Sequence, residues 1–87
     1  MKNLYKNEML SYVSGCESGN VSVRELCIVY MDYGIYNLGK KNLDVKFIKK
    51  RVEKFCRKNG GVKVNEIEVL GSVIKVKNFY KFSSSLV

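Results

Sequence analysis

The sequence predicts an α+β fold, three helices followed by a β-hairpin, on three observations. Val45, Ile48, Val52, Phe55 and Cys56 recur at steps of three, four, three and one, which is the spacing of one helix face. Ser22-Val23-Arg24-Glu25 has the form of a capping box, in which the serine and glutamate side chains each satisfy an orphan backbone donor where a helix begins. Beyond Gly60-Gly61 the apolar period becomes two, the period of a strand.

The elements follow in order. Residues 3–13 place Tyr5, Met9, Tyr12 and Val13 on one side of a first helix, with Ser14-Gly15 as its stop. Residues 15–20 read as a loop. A second helix starts at Ser22 and runs to about Tyr33, ending at Gly34, with Val23, Leu26, Cys27, Tyr30 and Tyr33 as its main apolar face. Ile28, Val29 and Met31 occupy its other sides, so it is apolar nearly all round, as a helix covered by neighbours is. A strand over 26–31 is the competing reading, because so short an apolar run does not separate the two by periodicity.

Residues 35–42 form a connection. Asn42 is the expected N-cap of the third helix, roughly residues 43–58, with Asp44 in its first turn and Asn59-Gly60-Gly61 as a left-handed stop. The hairpin follows. A type II′ turn centred on Gly71-Ser72 would set Leu70 against Val73, Val69 against Ile74, Glu68 against Lys75, Ile67 against Val76 and Glu66 against Lys77. Every apolar pair then lands on one face or at the tip, and both acid–base pairs land on the other face. Phe79, Tyr80 and Phe82 extend the second strand, and 83–87 read as a flexible tail, leaving 1–82 as a single domain built on one core.

Composition narrows the function. No apolar run approaches the roughly 20 residues of a bilayer span, and the N-terminus is polar where a signal peptide would be apolar, so an intracellular, cytoplasmic protein without a membrane partner is expected. Three cysteines without a histidine suggest neither a disulfide framework nor a zinc site. Cys27 and Cys56 lie in apolar stretches and read as buried, while Cys16, in a polar loop, is the one expected to oxidise. With no histidine for general-base work, no acidic cluster and no phosphate loop, neither an enzyme nor a cofactor is expected. Alanine, proline, histidine, glutamine, threonine and tryptophan are absent while lysine and asparagine abound, a bias that suggests an AT-rich genome and suits a virus or mobile element.

Charge placement is the strongest functional signal. Of 16 Lys and Arg, ten fall between Lys40 and Lys63: Lys40, Lys41, Lys46, Lys49, Lys50, Arg51, Lys54, Arg57, Lys58 and Lys63. Only Asp44 and Glu53 oppose them, so this segment carries the whole net charge of +8 and the rest of the chain is neutral. Packing like charges so densely costs folding free energy, which calls for a polyanionic partner. Lys46, Lys50, Lys54 and Arg57 line up opposite the apolar stripe of the third helix.

Helix, helix, basic helix and hairpin in that order resemble the winged helix-turn-helix family over about residues 3–82. The likeness rests on Ser22-Val23-Arg24-Glu25-Leu26 opening the second helix, on Val45-Lys46-Phe47-Ile48-Lys49-Lys50-Arg51-Val52 in the recognition position, and on Glu66–Lys77 as the wing. It implies a DNA-binding protein, sequence-specific or general, of the small transcriptional-regulator kind. The third helix, with Lys40, Lys41 and Lys63 at its flanks, would meet the duplex backbone and major groove through the cations of the patch and Phe47.

Phe47 sits amid the basic side and either packs on the first helix or the connection, or meets a base. Tyr36, Tyr80 and Phe82 pose the same choice, with the core as the favoured place. Lysine interleaved with tyrosine also suits RNA or single-stranded DNA. The alternative from another class is a small viral inhibitor that occupies an acidic or nucleic-acid-binding surface of a host protein. A homodimer is compatible with either reading.

Overall fold

The computed structural model describes residues 4–83, ordered as α1 (Leu4–Ser14), β1 (Asn20–Ser22), α2 (Val23–Leu38), α3 (Val45–Lys58), β2 (Val62–Val69) and β3 (Ser72–Lys81). The class is α+β, with three helices and an antiparallel sheet in the order β1-β3-β2. Of the expected tail, all but Ser83 lies outside the described residues. Among the described residues no helix is long and apolar enough to cross a membrane.

One apolar cluster joins every element but β2. Met9 and Val13 come from α1, Val21 from β1, Leu26 and Tyr30 from α2, Ile48, Val52, Phe55 and Cys56 from α3, and Tyr80 and Phe82 from β3 and the residue after it. Tyr5 stacks on Tyr30 with ring centroids 3.9 Å apart and meets Tyr33 edge-on at 5.5 Å, an arrangement that adds to the burial of the rings. Tyr80 and Phe82 thus complete the core as expected, whereas Tyr36 is 81% exposed and does not.

The capping box forms as the sequence predicts. Ser22 Oγ accepts from the Glu25 N–H at 3.0 Å, and Glu25 Oε1 accepts from the Ser22 N–H at 2.9 Å. Glu25 also accepts a short hydrogen bond from the Tyr12 hydroxyl, which ties α1 to the start of α2. Burial opposes ionisation of Glu25, but the bonds from Tyr12 and Ser22 outweigh it and hold its pKa below the ordinary value. The same bond, with burial and the Glu25 charge, pushes the Tyr12 phenol up to about 12.

Linkage gives two windows for this contact. Because the Glu25 pKa is lowered, its contribution is present above the ordinary carboxylate range and is lost as pH falls through the folded value. Because the Tyr12 pKa is raised, its contribution is present below about pH 10 and is lost as pH climbs towards 12. Tyr12→Phe is expected to cost about 1 kcal/mol in urea unfolding at neutral pH and to flatten the alkaline loss.

Three expectations need correction. The first concerns the approach to α2: β1 begins at Asn20, the last residue of the stretch 15–20 read as loop, and runs on to the capping Ser22, with Asn20, Val21 and Ser22 paired to Lys81, Tyr80 and Phe79. A strand this short shows no alternation in sequence; pairing with β3 makes it one. The second concerns α2, which runs through Gly34 to Leu38. Gly34 is buried because the Tyr5 ring lies where its side chain would be, a Cβ there coming within 3.0 Å of the Tyr5 hydroxyl. Gly39, at φ 67°, is the true stop. The connection to α3 is therefore 39–44, and Asp44, not Asn42, caps α3, its Oδ1 accepting from the N–H groups of Lys46 and Phe47.

The third is the hairpin register. Glu66 faces Lys75, Ile67 faces Ile74, Glu68 faces Val73 and Val69 faces Ser72, a shift of two from the expected pairing. The turn is centred on Leu70-Gly71, both at positive φ (51° and 81°), the backbone of a type I′ turn, whose twist matches that of the strands. A shift of two keeps each side chain on its face, so apolar patterning alone does not distinguish the registers. Nearer the sheet's root Val64 faces Phe79, so two steps along β2 answer four along β3. The surplus is a bulge at 76–78, with Asn78 at φ 58°, a left-handed backbone that asparagine tolerates.

Leucine does not share that tolerance, and Leu70 is wholly exposed, so nothing packs to offset its backbone strain. Leu70→Asn, giving the Asn-Gly pair that this turn favours, is expected to raise unfolding free energy by about 1 kcal/mol in urea denaturation.

Candidate nucleic-acid interface

The third helix is amphipathic because its two faces have separate tasks. Ile48, Val52, Phe55 and Cys56 are all buried in the core, which fixes the rotation of α3 about its axis. Val45, expected on the same stripe, is 59% exposed because it precedes the first turn that reaches the core. At about 100° per residue, burying that stripe sends Lys46, Lys50, Lys54 and Arg57 to the outward crest. Every one of the eleven residues predicted for the site is exposed.

The remaining cations of α3 divide between its flanks. Arg51 and Lys58 turn towards α1 and, with Lys54 at the edge of the crest and Tyr5, Lys6 and Met9 of α1, line an open cleft of about 460 Å³. Lys6 was not among the predicted residues; a single lysine on a helix has no signal until the fold sets it beside three others. Lys49 lies on the opposite flank, beside residues of α2 and the hairpin. Lys40 and Lys41 sit in the connection that precedes α3, and Lys63 sits on β2 opposite Tyr80, where it borders a shallow groove with Lys77. The patch that is continuous in sequence is thus a crest with two flanks, and Lys63 stands apart from it.

Phe47 is 52% exposed and lies outside the buried core. The Arg51 guanidinium lies over its ring, 5.0 Å from the centroid, one turn along the same side. This contact holds Arg51 towards the crest and leaves the planar fork of the guanidinium free to take two acceptors at once. Chemically the surface offers fixed positive charge, one oriented guanidinium and one aromatic face. Groups of this kind can hold and orient an anion.

The cysteines are not part of it. Cys27 and Cys56 are buried, and burial, ahead of nearby Glu53, pushes the Cys56 thiol up to about 12. Cys16, expected to be open to oxidation, is half-buried. Its Sγ donates to the Tyr12 carbonyl at 3.4 Å, and burial followed by the Glu25 charge raises its pKa, which suppresses the reactive thiolate. Among the described residues no group of three or more His, Cys, Asp or Glu is placed to hold a metal ion. No family model matches the chain, and neither does any curated protein or solved structure.

Proposed function

We propose that this protein binds nucleic acid, double-stranded DNA in the first place, through the exposed basic side of α3, as a small winged-helix regulator of the viral or mobile-element kind. The single observation that carries the reading is the row Lys46, Lys50, Lys54 and Arg57 on a helix whose opposite side buries Ile48, Val52, Phe55 and Cys56 in the core. A rigid helix about 21 Å long, presenting cations at every turn, fits the width and charge spacing of a major groove. The element order supports it too: three helices precede the β2–β3 hairpin, and β1 pairs with β3, the order of a winged helix. Lys40, Lys41, Lys49 and Lys58 extend the positive field to flanking phosphates, and Lys63 contributes only to its long-range part.

The experiment is affinity for random duplex DNA, single-stranded DNA and RNA over a series of salt concentrations. A log–log slope of about −4 to −5 for the duplex, which corresponds to roughly five neutralised phosphates, supports the reading. Salt-independent binding, or none at low salt, removes it. The second reading, an inhibitor that docks on a host protein, is favoured by one observation: the hairpin end carries Leu70 and Val73 at 100% and 67% exposure, and exposed apolar side chains clustered in this way suit a protein surface.

A further inference from the structure

The sequence of α2 calls for cover on nearly every side, and one side lacks it. Ile28 is 47% exposed and Met31 half-buried, and with Cys27, Val45 and Phe79 they floor an open cleft of about 770 Å³ between α2, the start of α3 and the bulge of β3. Three cations border that floor, one from each element: Arg24 from α2, Lys49 from α3 and Lys77 from β3. No acidic residue lines the cleft.

The place of Lys77 is not an accident of a regular hairpin. In an unbroken ladder it would stand opposite Glu66, whereas the surplus residues of β3 give Glu66 to Lys75 and leave Lys77 inside the bulge, next to Asn78 in its left-handed conformation. Bulges commonly re-aim a side chain next to a functional site. Here the bulge sets a lysine at the border of an apolar floor, where charge attracts more strongly than in open water.

We propose that this cleft binds a small amphipathic anion, with an aromatic or alkyl body against Ile28, Met31 and Phe79 and an acidic head group among Arg24, Lys49 and Lys77. The volume is that of a small-molecule site, an apolar lining with a few polar groups is its usual make-up, and the three bordering cations favour an anionic ligand. The inference does not depend on the nucleic-acid reading. Lys49 is shared by both surfaces, so an anion bound here would reach α3 directly.

The test uses the fluorescent sulfonate 8-anilinonaphthalene-1-sulfonate as probe and its uncharged analogue N-phenyl-1-naphthylamine as control, with no nucleic acid present. Saturable one-to-one binding of the sulfonate is expected, weakened about tenfold or more in Arg24→Ala/Lys77→Ala and changed little in Lys50→Ala/Lys54→Ala. Both pairs are exposed, and circular dichroism checks that each variant folds. Equal weakening by the two pairs would mean attraction to any basic surface and would overturn the proposal. So would equal affinity for the uncharged analogue, or amide resonances of the cleft that move with protein concentration alone, which would place a second copy of the chain there.

Discussion

Replacing Lys46, Lys50 and Lys54 together by alanine is expected to lower affinity for duplex DNA by roughly 100- to 1000-fold near 0.1 M salt while leaving the fold intact. The magnitude follows from counterion release. Each neutralised phosphate contributes about 0.9 to the log–log salt slope, which at that ionic strength is close to a decade of affinity. Three lost contacts should therefore also make the slope shallower by about 3. The fold should survive because all three side chains are exposed and the residues that hold α3 in place, Ile48, Val52, Phe55 and Cys56, are untouched. Removing three of the like charges between Lys40 and Lys63 also relieves repulsion, so the melting temperature should stay level or rise slightly. Unchanged affinity in a folded triple variant would remove α3 as the binding element.

Gly61→Ala is expected to destabilise the protein by about 3 kcal/mol, the largest effect among the substitutions considered for stability. A Cβ there would lie 2.7 Å from the Cys56 carbonyl oxygen and 2.9 Å from Phe82 Cζ. Neither neighbour can retreat cheaply. The Gly61 N–H donates to that same carbonyl at 2.8 Å, and Phe82 is buried against Phe55 with ring centroids 6.3 Å apart. Gly60 is the contrast: it has φ 84° but nothing within 4 Å of a Cβ, so Gly60→Ala should cost only the backbone strain, about 1 kcal/mol. Urea unfolding of the two variants decides it, and a larger loss at Gly60 than at Gly61 would contradict the packing account.

The pair also shows how much of this fold is legible in the chain. Gly60-Gly61 marks the end of α3 correctly, but the sequence does not say that one glycine serves the turn and the other serves Phe82, because the second reason is a contact across 21 residues. The capping box at Ser22 and the face of α3 were readable, since both are set by neighbours within a turn or two of helix. Gly34 misled for the opposite reason: a glycine inside an apolar run reads as a stop, and only Tyr5 on α1 explains why the helix continues past it. β1 was invisible because three residues carry no period. The hairpin register slipped by two because type I′ and type II′ turns both use glycine, and both registers leave every side chain on the same face.

For the candidate site, charge and exposure were readable and arrangement was not. The local excess of lysine and arginine needed only counting, and the opposition of Lys46, Lys50, Lys54 and Arg57 to the apolar stripe needed only helical spacing. The separation of Lys63 from α3, the addition of Lys6 beside Lys54 and Lys58, and the Arg51 guanidinium over Phe47 all depend on how elements pack or which rotamers face each other. The uncovered side of α2 was half readable: Ile28 and Met31 announce an apolar surface, but only the packed fold shows that no element of the described chain closes over it.

The most direct test of the central claim is a titration of isotope-labelled protein with a short DNA duplex, following backbone amide resonances. The account predicts the largest changes at Lys46, Phe47, Lys50, Arg51, Lys54 and Arg57, with smaller ones at Lys40 and Lys41 and little at Lys63. Changes centred on the hairpin end around Leu70 and Val73, with α3 unmoved, would contradict it and would turn the basic helix from a nucleic-acid surface into a charged support for a different interface.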